Sequence, residues 1–309
     1  MPLTMRPYQT EDDYWRIRAF LRQGFLLNSR RELCWQVARL DYWRWHVIEN
    51  CNLCDPVEDV TFIWETPDRQ IAAVLNPEGR VEAHLHVHPG LRTPELEEEM
   101  IIVAEQHLAA PRSDGVRRLW VFADGQDTLR QNTLIRRGYT KRGLSEHQWR
   151  RELDVPIPDA PVAPGYTVRS LGDVDELPSR SWASWRAFHP DEPDERYEGW
   201  EWYHNIQRMP LYHRDLDLVT VAPTGEVASF RTVWYDDVTR SAYYEPVGTM
   251  PEHQRRGLAK ALLTEGLRRL KRMGATRAFV GGYEPGPNAL YTLVMGNEHD
   301  LSEPWVKEW

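Results

Sequence analysis

The sequence repeats one order of predicted elements, and this repeat constrains the fold more than any single segment does. Residues 62–90 and 218–252 both read as strand, turn, strand and a third strand that ends near a proline. Residues 3–17 match 166–180 in the same way, at an offset of roughly 160 residues. Because a duplicated unit fixes the architecture, we expect two copies of one fold in this chain.

The match continues towards the end of each copy. Residues 113–125 align with 273–283, and apolar residues recur at helical spacing over 96–108 and 258–270. Each copy therefore reads as strand, helix, a run of antiparallel strands, and then alternating strands and helices. This order predicts an α/β (mixed α+β) fold in which each copy is a mixed, mostly antiparallel sheet flanked by helices.

A proline-rich segment separates the two copies. Residues 154–165, DVPIPDAPVAPG, carry prolines at a density that favours an extended spacer. We therefore predict one domain over 1–153, a linker over 154–165 and a second domain over 166–309. With 309 residues in total, each domain is long enough to bury its own core.

Composition limits the compartment and the partners. The cysteines Cys34, Cys51 and Cys54 leave an odd thiol, which fits a reducing compartment. The start of the chain does not resemble a leader, and no apolar run approaches the length of a membrane span. A net charge of -9 opposes general nucleic-acid binding. We expect a cytoplasmic protein with no nucleic-acid or membrane partner, and its oligomeric state stays open.

The turn in PEHQRRGLAKALL, residues 251–263, has the features of a phosphate site. It lies between a predicted strand that ends at Pro251 and a predicted helix that begins near Gly257. Backbone N–H groups and the positive end of the helix dipole should therefore face one point. Gly257 lacks the Cβ that would block a close approach, and Arg255 and Arg256 add positive charge. The sequence thus predicts a pyrophosphate site in this turn.

Two motifs of the second copy are similar to those of the GNAT superfamily of acyl-CoA-dependent N-acetyltransferases. The pattern Gln254-x-x-Gly257-x-Ala259 resembles its motif A, and PNALYTLVMGN, residues 287–297, resembles its C-terminal signature. The order of elements agrees over both halves, so the chain is identified as a tandem GNAT protein. Mycothiol synthase has a similar two-copy layout, with its active site in the second copy.

This resemblance implies an acetyl-CoA site in the second domain. The third strand, Tyr244 to Met250, would splay from the next strand, Arg277 to Gly282, and the pantetheine arm would pair with the open edge. A backbone N–H near 247–249 would polarise the thioester carbonyl, and residues 254–260 would hold the pyrophosphate. The residues implied for the cofactor are Val247, Gly248, Thr249, Gln254, Arg255, Arg256, Gly257, Leu258, Ala259, Lys260 and Asn288.

The resemblance also implies which residue is the general acid, but it does not identify the general base that deprotonates the acceptor amine. Tyr291 matches the family's general acid, which protonates the leaving CoA thiolate. Direct transfer needs an unprotonated acceptor amine and therefore a base in reach, directly or through water. Glu245, two residues before Val247 in the predicted strand, is our candidate. The alternative, a glutamate on a strand face without a catalytic role, stays open.

Aromatic residues crowd the segment after the first strand of the second copy. In this superfamily the corresponding segment forms helices over the acceptor cleft, so Trp182, Trp185, Trp202 and Tyr203 are candidates for substrate binding. The alternative is that these rings pack between helices, since periodicity alone does not reveal which rings face a cleft.

The first copy has carboxylates where the phosphate turn of the second copy has small residues. Glu95 stands opposite Gly257, and Glu97 stands opposite Ala259. Carboxylates at a helix N-terminus cap the helix, but they repel a phosphate and compete for the same N–H groups. We therefore expect the first copy to bind CoA poorly or not at all.

The catalytic positions of the first copy are replaced as well. Ala83 stands opposite Glu245, and Thr133 stands opposite Tyr291. We predict a degenerate, non-catalytic first domain and one active site per chain, in the second domain. That site would transfer an acetyl group from acetyl-CoA directly to the amine of a small molecule or peptide. The alternatives are a regulatory module that binds acyl-CoA without turnover, and a mycothiol-synthase-like acetyltransferase.

Two patterns in the first copy raise the question of a metal. His84, His86 and His88 alternate along a predicted strand, a spacing that can bind a metal, although a strand lining a vestigial cleft is the interpretation we favour. Cys51 and Cys54 form a lone C-x-x-C, which is more typical of incidental thiols. We predict no metal.

Overall fold

The computed structural model describes residues 2–111 and 113–309. The chain divides into two compact units: unit 1 comprises Met1–Gln148 and Asp300–Trp309, and unit 2 comprises Trp149–His299. Each unit is a mixed, mainly antiparallel sheet flanked by helices, which confirms the predicted fold class. Among the described residues, no helix is both long and apolar enough to cross a membrane.

Unit 1 begins with a short strand and a long helix, as the sequence pattern predicts. Its elements in chain order are β1 (Thr4–Pro7), α1 (Glu11–Leu27), α2 (Val37–Tyr42) with a π-helical continuation (Trp43–Ile48), α3 (Val57–Val60), β2 (Phe62–Glu65), β3 (Ile71–Asn76), β4 (Glu82–Val87), α4 (Pro94–His107), β5 (Ala110–Pro111), β6 (Arg117–Asp124), α5 (Thr128–Arg136), β7 (Thr140–Lys141) and β8 (Glu146–Glu152), which ends in unit 2. Strands β1 to β4 are antiparallel neighbours, and β4 pairs with β6 in parallel.

Unit 2 repeats this order. Its elements are β9 (Thr167–Ser170), α6 (Leu177–Phe188), α7 (Tyr203–Arg208), β10 (Asp217–Val221), β11 (Val227–Asp236), β12 (Ser241–Thr249), α8 (Leu258–Arg272), β13 (Arg277–Gly282) and α9 (Pro285–Met295). The strands follow the order β9-β10-β11-β12-β13, in which the first four are antiparallel neighbours and β13 runs parallel to β12.

The C-terminal strand, β14 (His299–Glu308), completes unit 1 although it follows unit 2 in the sequence. It pairs antiparallel with β6, from Ser302 opposite Asp124 to Glu308 opposite Arg118. The compact units therefore differ from the domains read off the sequence, because unit 2 begins at Trp149 and residues 300–309 lie in unit 1. The boundaries of the units depend on strand pairing between distant segments, such as β14 with β6. Local composition, such as the proline-rich segment, does not predict this pairing.

The helices after β4 and β12 are amphipathic, as expected from their spacing. In α8 the leucines at the predicted apolar positions are all buried: Leu258, Leu262, Leu263, Leu267 and Leu270. They cover the sheet of unit 2, where every residue of β11 is buried. Gly274 has φ 90° and ends the helix in the left-handed conformation that favours glycine. This packing fixes the N-terminus of α8 beside the end of β12.

Candidate functional site

Strands β12 and β13 part before either of them ends. Their parallel pairing runs from Ser241 opposite Arg277 to Tyr244 opposite Val280. Strand β12 continues to Thr249 and β13 continues to Gly282. Within the described part of the chain, no strand pairs with β12 on this side after Tyr244. The splay expected from the resemblance is therefore present, and the free edge of β12 can accept an extended chain.

The other edge of β12 is held firmly by β11. Gly248 lies opposite Phe230, and Thr249 lies opposite Ser229. The hydroxyl of Ser229 donates a hydrogen bond to the carbonyl of Gly248 at 2.7 Å. A Cβ on Gly248 would lie 2.3 Å from the Cζ atom of Phe230, so a side chain at this position would displace the ring. Gly248 thus lets β12 lie flat on Phe230 where the cleft opens.

The loop between β12 and α8 is exposed and carries unpaired cations. Gly257 is the N-cap of α8 with φ 74°, and a Cβ there would meet no atom within 4 Å. No side chain that the structure describes caps this helix, so its first N–H groups stay available to an anion. Arg255, with φ 61°, and Arg256 form no hydrogen bond or ion pair with any residue in the described ranges. The loop has the conformation and the charge of an anion site.

The remaining residues of the loop connect it to the strand and the helix. The amide of Gln254 donates to the carbonyl of Thr249 at 3.3 Å, which ties the loop to the end of β12. Leu258 is buried and anchors the first turn of α8, whereas Ala259 and Lys260 are partly exposed. The structure thus brings residues 247–249 and 254–260 together at one end of the cleft.

Tyr291 lies in α9 against the end of β13. A Cβ on Gly282 would approach the Cε2 atom of Tyr291 to 3.0 Å, which shows how closely the ring packs. Burial, and to a smaller extent the charge of Glu245, raise the pKa of the Tyr291 hydroxyl well above its ordinary value. No residue in the part of the chain that the structure describes hydrogen-bonds this hydroxyl. Tyr291 is therefore a protonated phenol at neutral pH, with a carboxylate in electrostatic range.

Glu245 sits where β12 turns away from β13. It directly follows Tyr244, the last residue of β12 that pairs with β13. The register between β11 and β12 shifts at the same point, between Arg231 and Val233. The indole of Trp234 donates to the backbone carbonyl of Glu245 at 2.6 Å. Glu245 itself is half-buried. The fold thus fixes the backbone of Glu245 at the origin of the cleft.

The side chain of Asn288 is engaged within unit 2. Its Oδ1 atom accepts a hydrogen bond from the indole of Trp149 at 2.9 Å, and its Nδ2 atom donates to the carbonyl of Tyr283 at 3.2 Å. A Cβ on Gly282 would lie 2.5 Å from the same Oδ1 atom. These contacts position α9, and hence Tyr291, against β13.

Trp182 and Trp185 form a half-buried aromatic cluster on α6. Their rings stack at 5.4 Å, and Tyr197, which the sequence analysis did not single out, closes the cluster at 5.2 Å from Trp182. Phe188 at the end of α6 lies 6.1 Å from Phe230, the ring beneath Gly248. The C-terminal end of α6 therefore lies beside the strand where the cleft opens.

The other two aromatic candidates pack inside unit 2. The indole of Trp202 donates to the carbonyl of Gly199 at 2.9 Å. Tyr203 is only 1% exposed, and its hydroxyl donates to Asp217 at 2.8 Å. The guanidinium of Arg180 lies 4.9 Å from the Tyr203 ring. Packing therefore accounts for the positions of both side chains.

The corresponding turn of unit 1 is filled by its own ion pairs. Glu97 is fully buried and accepts hydrogen bonds from Arg92 at 2.5 Å and from Arg130 at 2.9 Å. Arg92 also pairs with Asp127 at 2.6 Å. The hydroxyl of Thr93 caps α4 by accepting from the Leu96 N–H. Both the cations and a helix N–H group that could bind a phosphate here are already engaged.

A cavity of about 180 Å³ remains beside these ion pairs. Its lining includes Cys34, Val87, Arg92 and Arg130. Small-molecule sites usually enclose roughly 300–1,000 Å³, so this cavity is small for a nucleotide cofactor. The small volume of this cavity is consistent with the expectation, based on Glu95 and Glu97, that unit 1 binds CoA poorly or not at all.

Replacing Glu97 with alanine is expected to destabilise unit 1 by about 3–5 kcal/mol, because Arg130 would be left buried without its partner. Burial opposes ionisation, but Arg130 and Arg92 together hold the pKa of Glu97 below its ordinary value. This contribution is therefore present above the ordinary glutamate pKa and is lost as the pH falls through the lowered one. Urea unfolding measures the loss. The exposed neighbour offers a control, since Glu95→Ala should change stability by no more than about 0.5 kcal/mol. Equal effects of the two variants would contradict the account.

The sequence of unit 2 is similar to that of one known family. Residues 174–292 match the family model described as "Acetyltransferase (GNAT) family". This part of unit 2 is similar to GNAT acetyltransferases. The resemblance to the GNAT superfamily that the sequence predicts is therefore confirmed, and the match supports acetyl transfer in general. No curated protein matches the sequence.

Solved structures extend the GNAT fold over both units. A GCN5-related N-acetyltransferase from Sphaerobacter thermophilus has a TM-score of 0.67 at 18% identity, covering 99% of this chain and 95% of that one. A tandem GNAT protein from the clavulanic acid biosynthesis pathway has a TM-score of 0.64 at 15% identity, covering 99% and 98%. A GNAT-family acetyltransferase from Colwellia psychrerythraea has a TM-score of 0.60 at 10% identity, covering 98% and 100%. The tandem GNAT fold is thereby confirmed.

Proposed function

We propose that unit 2 is an acetyl-CoA-dependent N-acetyltransferase that transfers the acetyl group directly to an amine, and that unit 1 is a non-catalytic copy. The observation that carries this proposal is the loop at 254–260. Among residues 2–111 and 113–309, no side chain caps the helix N-terminus in this loop, none pairs with its two guanidinium groups, and no strand pairs with the adjacent strand edge after Tyr244. The GNAT family match over 174–292 supports the same chemistry.

In this proposal the loop and the strand bind the two ends of acetyl-CoA, which supplies an activated acetyl thioester. Backbone N–H groups at the start of α8, together with Arg255 and Arg256, hold the pyrophosphate. The free edge of β12 pairs with the pantetheine arm. A backbone N–H within 247–249 donates to the thioester carbonyl oxygen, where negative charge develops as the amine attacks.

Glu245 and Tyr291 move the protons. Glu245 accepts a proton from the acceptor amine, directly or through water, so that the nitrogen has a free electron pair. The amine nitrogen then forms a bond to the carbonyl carbon, and the carbon–sulfur bond breaks. Tyr291, whose raised pKa keeps it protonated, donates its proton to the departing thiolate. The attacking nitrogen loses its second proton to water as the amide forms. After the products leave, Glu245 releases its proton to solvent and Tyr291 takes up a proton from solvent.

The acceptor is a small-molecule or peptide amine that contacts the cluster of Trp182, Trp185 and Tyr197. The half-buried indoles of Trp182 and Trp185 offer flat apolar surface on the helix whose end lies beside Gly248, and Tyr197 packs against them. Aromatic faces of this kind also attract a cationic group next to the reacting amine.

A panel of amines tests the activity. We expect acetyl-CoA to release its thiol faster in the presence of some amines than in their absence, with acetylated amine appearing in equal amount. Thiol detection and mass spectrometry measure the two products. Acetyl-CoA that binds tightly but is never consumed, across a broad panel of small and peptide amines, would show a binding module instead of an enzyme.

A further inference from the structure

Strand β4 in unit 1 has a polar face that the acyl-transfer chemistry does not use. Ala83, Leu85 and Val87 point into the core, whereas Glu82 and His84 lie on the opposite face. The indole ring of Trp35 lies 4.9 Å from the His84 ring and helps to cover this face. Polar groups enclosed in this way require partners.

Two glutamates and His84 converge on one point of this face. Glu78 belongs to the turn between β3 and β4, and its carboxylate lies near that of Glu82. One ligand atom from each of Glu78, Glu82 and His84 lies within 4.8 Å of the other two. Two ligand atoms on one tetrahedral ion, each at about 2.0–2.2 Å, lie about 3.3–3.6 Å apart. Side-chain rotations that move the ligand atoms by about an ångström therefore place all three on one ion.

The imidazole of His84 supplies an unused ligand atom. The residue is only 6% exposed, and its Nε2 atom has no hydrogen-bond partner among the described residues. This atom lies 3.8 Å from the Oε2 atom of Glu78, beyond hydrogen-bond length. The ring is held in place by stacking on Phe122 at 4.5 Å. A buried imidazole nitrogen without a partner costs free energy unless something binds it.

The carboxylates are held by hydrogen bonds from neighbouring groups and carry excess negative charge. Arg39 donates to both oxygens of Glu78, at 3.2 and 2.5 Å, and the N–H of Gly79 donates to Glu82 at 2.9 Å. Hydrogen bonds of this kind orient carboxylate ligands at metal sites. Arg39 also pairs with Glu146 at 3.0 Å. The positive charge of Arg39 is therefore shared between Glu78 and Glu146. A divalent cation would balance the remaining charge.

We propose that Glu78, Glu82 and His84 bind a first-row divalent transition-metal ion, such as Zn²⁺ or Mn²⁺, in unit 1. Two carboxylate oxygens and one imidazole nitrogen suit these ions, and water completes the coordination. The histidine row in the sequence contributes one ligand to this site. His86 is engaged by the Trp35 N–H and by Asn76, and His88 accepts from the Gly90 N–H.

Calorimetric titration of the metal-free full chain with Zn²⁺, and separately with Mn²⁺, tests the proposal. We expect one ion per chain and a higher melting temperature with metal. His84→Gln and Glu82→Gln should each weaken binding by at least about tenfold. Two variants serve as controls that should bind as the wild type does: His88→Gln, in the same histidine row, and Cys51→Ser, which removes an exposed thiol.

Two results would overturn the proposal. One is a wild-type titration without a saturable step of one ion per chain. The other is a step that survives in both His84→Gln and Glu82→Gln, or that disappears in Cys51→Ser. Circular dichroism checks that each metal-free variant is folded. If the buried His84 variant does not fold, Glu78→Gln replaces it, because the side chain of Glu78 is 30% exposed and lies in a turn.

Discussion

Glutamate in place of Gly257 is expected to weaken acetyl-CoA binding by at least about 100-fold, because close like charges cost several kcal/mol. The new carboxylate would lie at the N-terminus of α8, where the proposal places the pyrophosphate. A side chain there meets no atom within 4 Å, so the folded structure has room for it. The left-handed φ of 74° adds a cost of about 1–2 kcal/mol, which should leave unit 2 folded. Calorimetry measures the affinity, and thermal unfolding measures the stability.

Gly257→Asn is the matched control for charge. Asparagine tolerates the left-handed conformation better than other side chains and adds a similar volume without a charge. We expect this variant to lose no more than about tenfold in affinity, so that the difference between the two variants reports repulsion of a phosphate. If Gly257→Glu binds acetyl-CoA as tightly as the wild type does, the pyrophosphate assignment is wrong.

Phenylalanine in place of Tyr291 is expected to lower kcat by about 10²–10⁴-fold, the usual contribution of a positioned general acid. The thiolate would then leave without a proton from the protein. Acetyl-CoA affinity should stay within about twofold, because the ring keeps its packing against Gly282. Steady-state thiol release gives kcat, and calorimetry gives the affinity.

Tyr235→Phe is the control for removing a buried phenol. Tyr235 is as little exposed as Tyr291, but its hydroxyl donates to the carbonyl of Met273, outside the proposed site. Its loss should affect stability and leave kcat unchanged. If Tyr291→Phe keeps the wild-type kcat, Tyr291 is not the general acid. Glu245 would then be the remaining candidate for proton transfer.

Much of this structure follows from patterns that are local in the sequence. The leucines of α8 recur at helical spacing, and strand β13 has the predicted bounds Arg277–Gly282. The left-handed Gly257 stands where a turn between a strand and a helix needs a residue without Cβ. These features depend on neighbours within a few residues, and a single sequence contains that information.

What the sequence did not reveal depends on contacts between distant residues. Asn288 is engaged by Trp149, and the hydroxyl of Tyr203 is engaged by Asp217. No local pattern predicts which of several aromatic residues meets a buried carboxylate. The same holds for β14, whose partner β6 precedes it by more than half of the chain. Long-range pairing is set by the whole fold.

The turn before α4 in unit 1 is stabilised by its own ion pairs. The sequence revealed the carboxylates Glu95 and Glu97, and suggested that both act at the helix end. In the structure Glu95 is exposed, while Glu97 is buried between Arg92 and Arg130. An internal ion-pair network thus occupies the position in unit 1 that corresponds to the loop at 254–260 of unit 2.

Calorimetric titration of the full chain with acetyl-CoA tests the central claim, which is one functioning site per chain, located in unit 2. We expect a single saturable step with one acetyl-CoA bound per chain, and no step in Gly257→Glu. Two molecules bound per chain, or one that remains bound with full affinity in Gly257→Glu, would contradict this account.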